Sequence, residues 1–243
     1  MRLRRGTIVV LLGLCVPYSA GAQNWQWAVS ERLTSERVIG LLALPEIVAP
    51  ECAPSESGRA SLYANPSKST APLGAIERAP DGECRILVRR AAAKSEEQLP
   101  TDESSYETPA AIVYQRMGPW FRIALQHGSS WVRRDKPNDF LPYPQLFRNR
   151  LAYIREGWDA RLWNTPEGGV PTSLPAKWKS YAAQNVPITY LGFRRVAGEL
   201  WIRVRLENES CGEPLEGVKP VEGWIRAYRP TGETSAWFYS RGC

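Results

Sequence analysis

The chain has 243 residues, with 20 prolines and 19 glycines spread along it, 43% apolar residues and a formal charge of +6. Breakers at that density exclude an architecture of long helices and leave one large or two small domains that are all-β with little helix. Arg2, Arg4 and Arg5 supply half of the excess charge; without them 28 Lys plus Arg face 25 Asp plus Glu, an excess of +3. That balance offers no basic face for nucleic acid, so no nucleic-acid partner is expected.

Residues 1–22 have the layout of a secretory signal peptide: a basic start, "MRLRR", an apolar run, "GTIVVLLGLCV", and small residues, "AGA", ending at Ala22. The apolar run is too short to anchor the chain across a bilayer, which takes roughly 20 residues. Cys15 raises the possibility of lipoprotein processing, but Leu14 precedes it where that processing wants a small residue. No later segment is apolar for long enough to span a membrane. The expected product is a periplasmic or secreted chain cleaved after Ala22, with residues 23–34 as an N-terminal extension.

Cys52, Cys84, Cys211 and Cys243 remain after cleavage, and an even count in an exported chain predicts disulfides. Of the three connectivities, 52–84 with 211–243 is preferred because each bond then staples one half of the chain. Closing the second loop restricts the unfolded chain by roughly 3–4 kcal/mol. Zinc is disfavoured: there is no Cys-x-x-Cys pair, and the one histidine, His127, falls in a turn.

Residues 35–135 read as a first module. "VIGLLALPEIV" is its opening strand, broken at Pro45, and "PLGAIE" and "CRILVRR" are further strands by their period-two alternation. The acidic, Pro-interrupted stretch 91–109 has the composition of a long mobile loop. In "WFRIALQHGSSWVRRD", residues 120–135, Phe121, Ile123 and Leu125 share one face and Trp120, Arg122 and Ala124 the other. Residues 136–150 form a linker whose Phe140, Leu141, Tyr143, Leu146 and Phe147 are too apolar for a free tether; they are expected to pack between modules.

Residues 151–243 form the second module, with strands in "AYI", "ARLWN", "PITYLGFRRV", "LWIRVRL", "GWIRAY" and "SAWFYSRGC". "SLPAKWKSYAAQN" allows one or two helical turns. An internal repeat links the halves. "LYANP" at 62–66 matches "LWNTP" at 162–166; each is followed by a Trp-led strand, "WFRIAL" or "WIRVRL", and then by a second Trp in "HGSSWV" or "VEGWI".

These motifs resemble the bacterial SH3-like domain family, in which a leucine–aromatic strand, a Trp-led strand and a Gly-Trp-Val element follow one another. "GPWFRIAL" with "SSWVRR", and "ELWIRVRL" with "EGWIRAY", carry the resemblance; Ser130 and Glu199 stand where the family usually has Gly. It implies two tandem small SH3-like β-barrels of five bent strands each, here with long loop insertions.

On that arrangement Tyr63, Trp120 and Trp131 form an aromatic groove with Arg122, and Trp163, Trp201 and Trp224 form its twin with Arg203. Flat aromatic rings suit sugars or extended peptides, and a guanidinium suits a carboxylate. Trp residues wedged against loops or the other module, with Arg stacked on the indole, are the competing arrangement. Catalysis finds little support. The cysteines serve better as disulfides, Ser129 and Ser130 beside His127 define no triad, and Glu96–Glu97 and Asp102–Glu103 sit in the acidic stretch. No phosphate-binding Gly loop or metal-ligand spacing occurs, so no enzyme, cofactor or metal is expected. The expected function is non-catalytic binding of a cell-envelope ligand, peptidoglycan or its peptide stems. A periplasmic adaptor using the linker aromatics and the acidic stretch is the alternative, and a cell-wall hydrolase the less favoured one.

Overall fold

The computed structural model describes residues 37–48, 58–80, 85–92, 96–167, 169–181, 185–208 and 217–240. The predicted signal peptide, the extension 23–34 and the four cysteines expected to form disulfides (Cys52, Cys84, Cys211 and Cys243) lie outside the described residues.

The chain is mostly β. The first sheet contains β1 (Gly40–Ala43), β2 (Arg59–Tyr63), β3 (Gly74–Arg78), β4 (Ile86–Arg90), β5 (Glu96–Gln98), β6 (Thr101–Ser105), β7 (Thr108–Met117), β8 (Trp120–Ala124), β9 (Ser129–Arg133) and β10 (Phe140–Pro142). Its order is β10-β1-β7-β8-β9-β2-β3-β4-β5, with β6 also on β7. The second sheet contains β11 (Ala152–Ile154), β12 (Leu162–Trp163), β13 (Pro171–Thr172), β14 (Val186–Val196), β15 (Glu199–Leu206), β16 (Val221–Arg226) and β17 (Ala236–Phe238). Its order is β13-β12-β16-β15-β14-β11-β17. The one α-helix among the described residues, α1 (Ala176–Tyr181), sinks Trp178 into the core, where its indole N–H donates to the Lys219 carbonyl at 3.1 Å.

Written side by side, the two orders coincide. The run β10-β1-β7-β8-β9-β2-β3 matches β17-β11-β14-β15-β16-β12-β13 strand for strand. The register agrees as well: a one-residue bulge falls between Val113 and Gln115 in β7 and between Tyr190 and Gly192 in β14. Both central hairpins turn on two residues, Gly118-Pro119 and Ala197-Gly198. Gly118, Ala197 and Gly198 have positive φ, as tight hairpin turns require, and the second hairpin runs two pairs further. At Gly223 a Cβ would lie 2.9 Å from the Leu162 Cβ, so glycine there lets β12 close on β16. The first sheet accepts Ser130 at the matching position, and it is buried.

The aliphatic faces are core, as their alternation predicts. Phe121, Ile123, Leu125 and Val132 pack with Leu42, Leu62, Ile76, Val88 and Phe140. Ile202, Val204 and Leu206 pack with Ile154, Leu162, Trp178 and Phe238. That second cluster continues onto the opposite face of the first sheet through Leu41, Ala110, Ile112, Tyr114 and Ala124. Adjacent Leu41 and Leu42 point to opposite sides of β1, and both are fully buried. The first sheet is therefore covered on both faces.

Residues 136–150 provide the joint. Phe140–Pro142 pairs with β1 and so belongs to the first sheet. The 3-10 turn that follows, Tyr143–Phe147, enters the core of the second. The Tyr143 hydroxyl donates to the Ala236 carbonyl at 2.7 Å, and its ring stacks on Trp237 at 5.7 Å. Phe147 stacks on Tyr190 at 5.6 Å, and the Tyr228 hydroxyl donates to the Val38 carbonyl at 2.8 Å. Tyr143, Leu146 and Phe147 thus pack between the sheets, as their apolar character predicts, whereas Phe140 packs in the first sheet's own core.

Two expectations are corrected. Much of the acidic stretch is not a loop: it supplies β5, β6 and the start of β7, because Leu99 is buried and Arg89 and Arg90 pair with Glu96 and Glu97 at 3.0 Å each. Neither sheet closes into a barrel: β5 and β10 end one ladder, β13 and β17 the other, with no pairing between those ends among the described residues.

Candidate functional site

Side chains two residues apart along a strand share a face, and cross-strand partners extend each into a row. On the outer face of the second sheet the first row is Arg194, Trp201 and Arg226. The next is Gly192, Arg203, Trp224 and Trp163, and the third is Thr189, Arg205 and Glu222. The first sheet repeats this layout with Met117, Trp120 and Arg133, then Gln115, Arg122, Trp131 and Tyr63, then Ala124 and Ser129. Both predicted quartets are therefore brought together by the strand register.

Within each quartet the rings meet edge to face. Tyr63 and Trp120 lie 5.2 Å apart at 88°, Trp163 and Trp201 6.3 Å apart at 90°. Such pairs add about 0.5–1.5 kcal/mol beyond the area they bury. Arg226 lies over Trp201 at 5.5 Å, and Arg122 over Tyr114 at 5.8 Å. With these neighbours Trp120 is 9% exposed and Trp201 4%, and Trp131 is buried as well, at 8%. They are not the walls of an open groove, and that expectation is corrected: edge-on neighbours and guanidinium groups occupy the space that a ligand would need. Tyr63, Trp163, Trp224 and Arg122 are half-buried, and Arg203 is exposed.

The accessible face on the second sheet is thus Arg203, Trp224 and Trp163, flanked by Arg194, Arg205 and Arg226. Arg203 pairs with Glu222 at 3.0 Å, Arg194 with Glu167 at 3.2 Å and Arg205 with Glu207 at 2.7 Å. Exposed pairs of this kind contribute about 0–1 kcal/mol each, so an incoming carboxylate can displace them at little cost. Arg226 meets no carboxylate among the described residues; its contact is the Trp201 ring. Sequence reading missed Arg194, Gly192 and Arg226. Their signal is the cross-strand register, which appears only once β14 and β16 are placed on either side of β15.

A different electrostatic feature marks the joint. Asp102 of β6 is partly exposed as a residue, yet burial pushes its carboxyl up to about 6, with Arg155 and the Trp237 indole opposing the rise. Arg155 lies over the Trp237 ring at 5.2 Å, and Ser240 donates to Glu103 at 2.7 Å. Burial also raises the Tyr153 and Tyr228 hydroxyls to about 12. Asp102 and Glu103 of β6 thus meet Tyr153, Arg155, Trp237 and Ser240 in and beside β11 and β17 of the second sheet.

Of the features offered for an adaptor, the linker residues Tyr143, Leu146 and Phe147 are at most 1% exposed, whereas Tyr106 of the acidic stretch is 54% exposed. His127 is exposed at the β8–β9 turn, and Ser129 and Ser130 enter β9. No cluster of His, Cys, Asp or Glu among the described residues has metal-binding geometry. No helix of the described residues is long and apolar enough to cross a membrane. No protein-family model, curated protein or solved structure matches the chain.

Proposed function

We propose that the chain is a non-catalytic, exported binding protein built from two SH3-like modules, and that the outer face of its second sheet takes a cell-envelope ligand. Peptidoglycan, through the carboxylates of its peptide stems, is the ligand class this reading favours. The observation that carries it is the row Arg203–Trp224–Trp163, an exposed guanidinium beside two half-buried indoles on an uncovered sheet face. The SH3-like reading draws support from the recurrence, in the same order in both sheets, of the strands that carry the resemblance: β2, β8 and β9 in the first, β12, β15 and β16 in the second. Export rests on the leader-like residues 1–22 alone.

Retention on purified sacculi tests the reading. Trp224→Ala with Arg203→Glu should release the protein, while Gln115→Ala on the first sheet should leave retention unchanged. Equal retention of all three proteins would remove the second-sheet face from consideration. Release of soluble wall fragments during the incubation would overturn the non-catalytic assignment.

A further inference from the structure

The central hairpin of the second sheet has one edge that no strand among the described residues covers. β14 pairs with β15 from Ile188 to Val196, but with β11 only from Val186 to Ile188. Beyond Ile188, the outward backbone groups of residues 190–196 have no ladder partner among the described residues. The first sheet has the matching gap beyond Val113, yet there the open segment is shorter, ending at Met117. A long open edge is a ready template for another strand, and proteins usually shorten it, cover it or charge it.

This edge combines apolar exposure with positive charge. Leu191 is 38% and Phe193 49% exposed, both on the open segment. Arg194 and Arg195 follow them, and Arg148 approaches from the joint, where burial raises the Tyr190 hydroxyl and the Arg148 charge opposes the rise. Arg194 is held by Glu167, but Arg195 donates to the Gly198 carbonyl, and neither it nor Arg148 meets a carboxylate among the described residues. The backbone supplies affinity for an extended chain, the apolar pair supplies contact area, and the two guanidinium groups select acidic side chains.

We infer that the open edge of β14, from Tyr190 to Val196, binds an extended acidic peptide segment of a partner protein by strand addition. This interaction is separate from the ligand face of Arg203 and Trp224. It uses the backbone edge of the sheet, where that face uses side chains standing on it.

A fluorescein-labelled heptapeptide alternating Glu and Val tests the inference by anisotropy, against a Lys–Val counterpart and a Glu–Val version N-methylated at alternate residues. The acidic peptide should bind at least about tenfold more tightly than the lysine peptide, a difference of about 1.4 kcal/mol. N-methylation should abolish binding, and hydrogen exchange should slow within 190–196 when the peptide is present. Arg195→Glu and Phe193→Ser, both at exposed positions, should each weaken binding about tenfold without altering the melting curve. Trp224→Ala with Arg203→Glu should leave peptide binding intact, which separates failure here from failure of the sacculus reading. No binding of the acidic peptide, equal binding of the lysine or N-methylated peptide, or protection outside 190–196 would overturn the inference. So would concentration-dependent protection of 190–196 in the protein alone, because the occupant would then be a second copy of the chain.

Discussion

Where the second sheet carries Arg205, between Thr189 and Glu222, the first carries Ala124, fully buried and packed into the core that joins the two sheets. The two residues are equivalent by register, since Ile123 and Val204 precede them on matching strands. One ancestral-looking face has therefore been put to two uses. In the first sheet its far row is small and uncharged, Ala124 buried in the core shared with the second sheet and Ser129 half-buried beside it. In the second sheet the same row is charged and open. The rows nearer the Trp pairs keep their Trp and Arg positions in both sheets, although exposed Met117 stands where the second sheet has exposed Arg194.

Exchanging those positions gives the largest expected effect. Ala124→Arg places an unpaired charge and extra volume in the joint and should destabilise the fold by at least about 4 kcal/mol, read from denaturant midpoints. A change below about 1 kcal/mol would mean that the first face is not held against the second module.

Next come the paired tryptophans. Trp120→Ala and Trp201→Ala should each cost about 3 kcal/mol, and the two losses should agree within about 1 kcal/mol if the quartets are equivalent. Strongly unequal losses would show that one ring carries a role its twin lacks.

The joint itself should respond to acid. The Asp102 carboxyl is raised from 3.8 to about 6, so its contribution to stability is fully present below pH 3.8 and is lost as pH rises through about 6. Asp102→Asn should therefore stabilise the protein at pH 7 by roughly 1–3 kcal/mol and flatten the stability profile between those two values. A steeper profile in the variant would place the titrating group elsewhere. The smallest effect is the reciprocal substitution: Arg205→Ala should leave the denaturant midpoint nearly unchanged, because its ion pair with Glu207 is partly open to solvent.

How much of this was readable in the sequence depended on the range of the interaction. Alternation fixes the inward side of a strand locally, so Phe121, Ile123, Val204 and Leu206 were identified as core from spacing alone. The repeat was equally readable, because Trp-led strands and the Leu-aromatic-x-x-Pro motif recur in order. The burial of Trp120 and Trp201 was not readable. It depends on Tyr63, Trp163 and Arg226, which arrive from other strands. The acidic stretch misled for the same reason: Glu96 and Glu97 look like solvated loop until Arg89 and Arg90 are placed opposite them. Strand β10 was hidden because its apolar residues suit a packed linker as well as a short strand, and its partner is β1.

That pairing has a consequence for how the chain folds. Gly40 waits for Pro142 before the first sheet is complete, and Tyr143, the next residue, is already committed to the second core. As the chain emerges N-terminus first, Leu41, Ile112 and Ala124 stay uncovered until β17 has been made. Contacts so distant in sequence slow folding and prolong the life of sticky intermediates. A truncated product ending near residue 150 would therefore bear a bare apolar face and should aggregate, although it contains every strand of its own sheet.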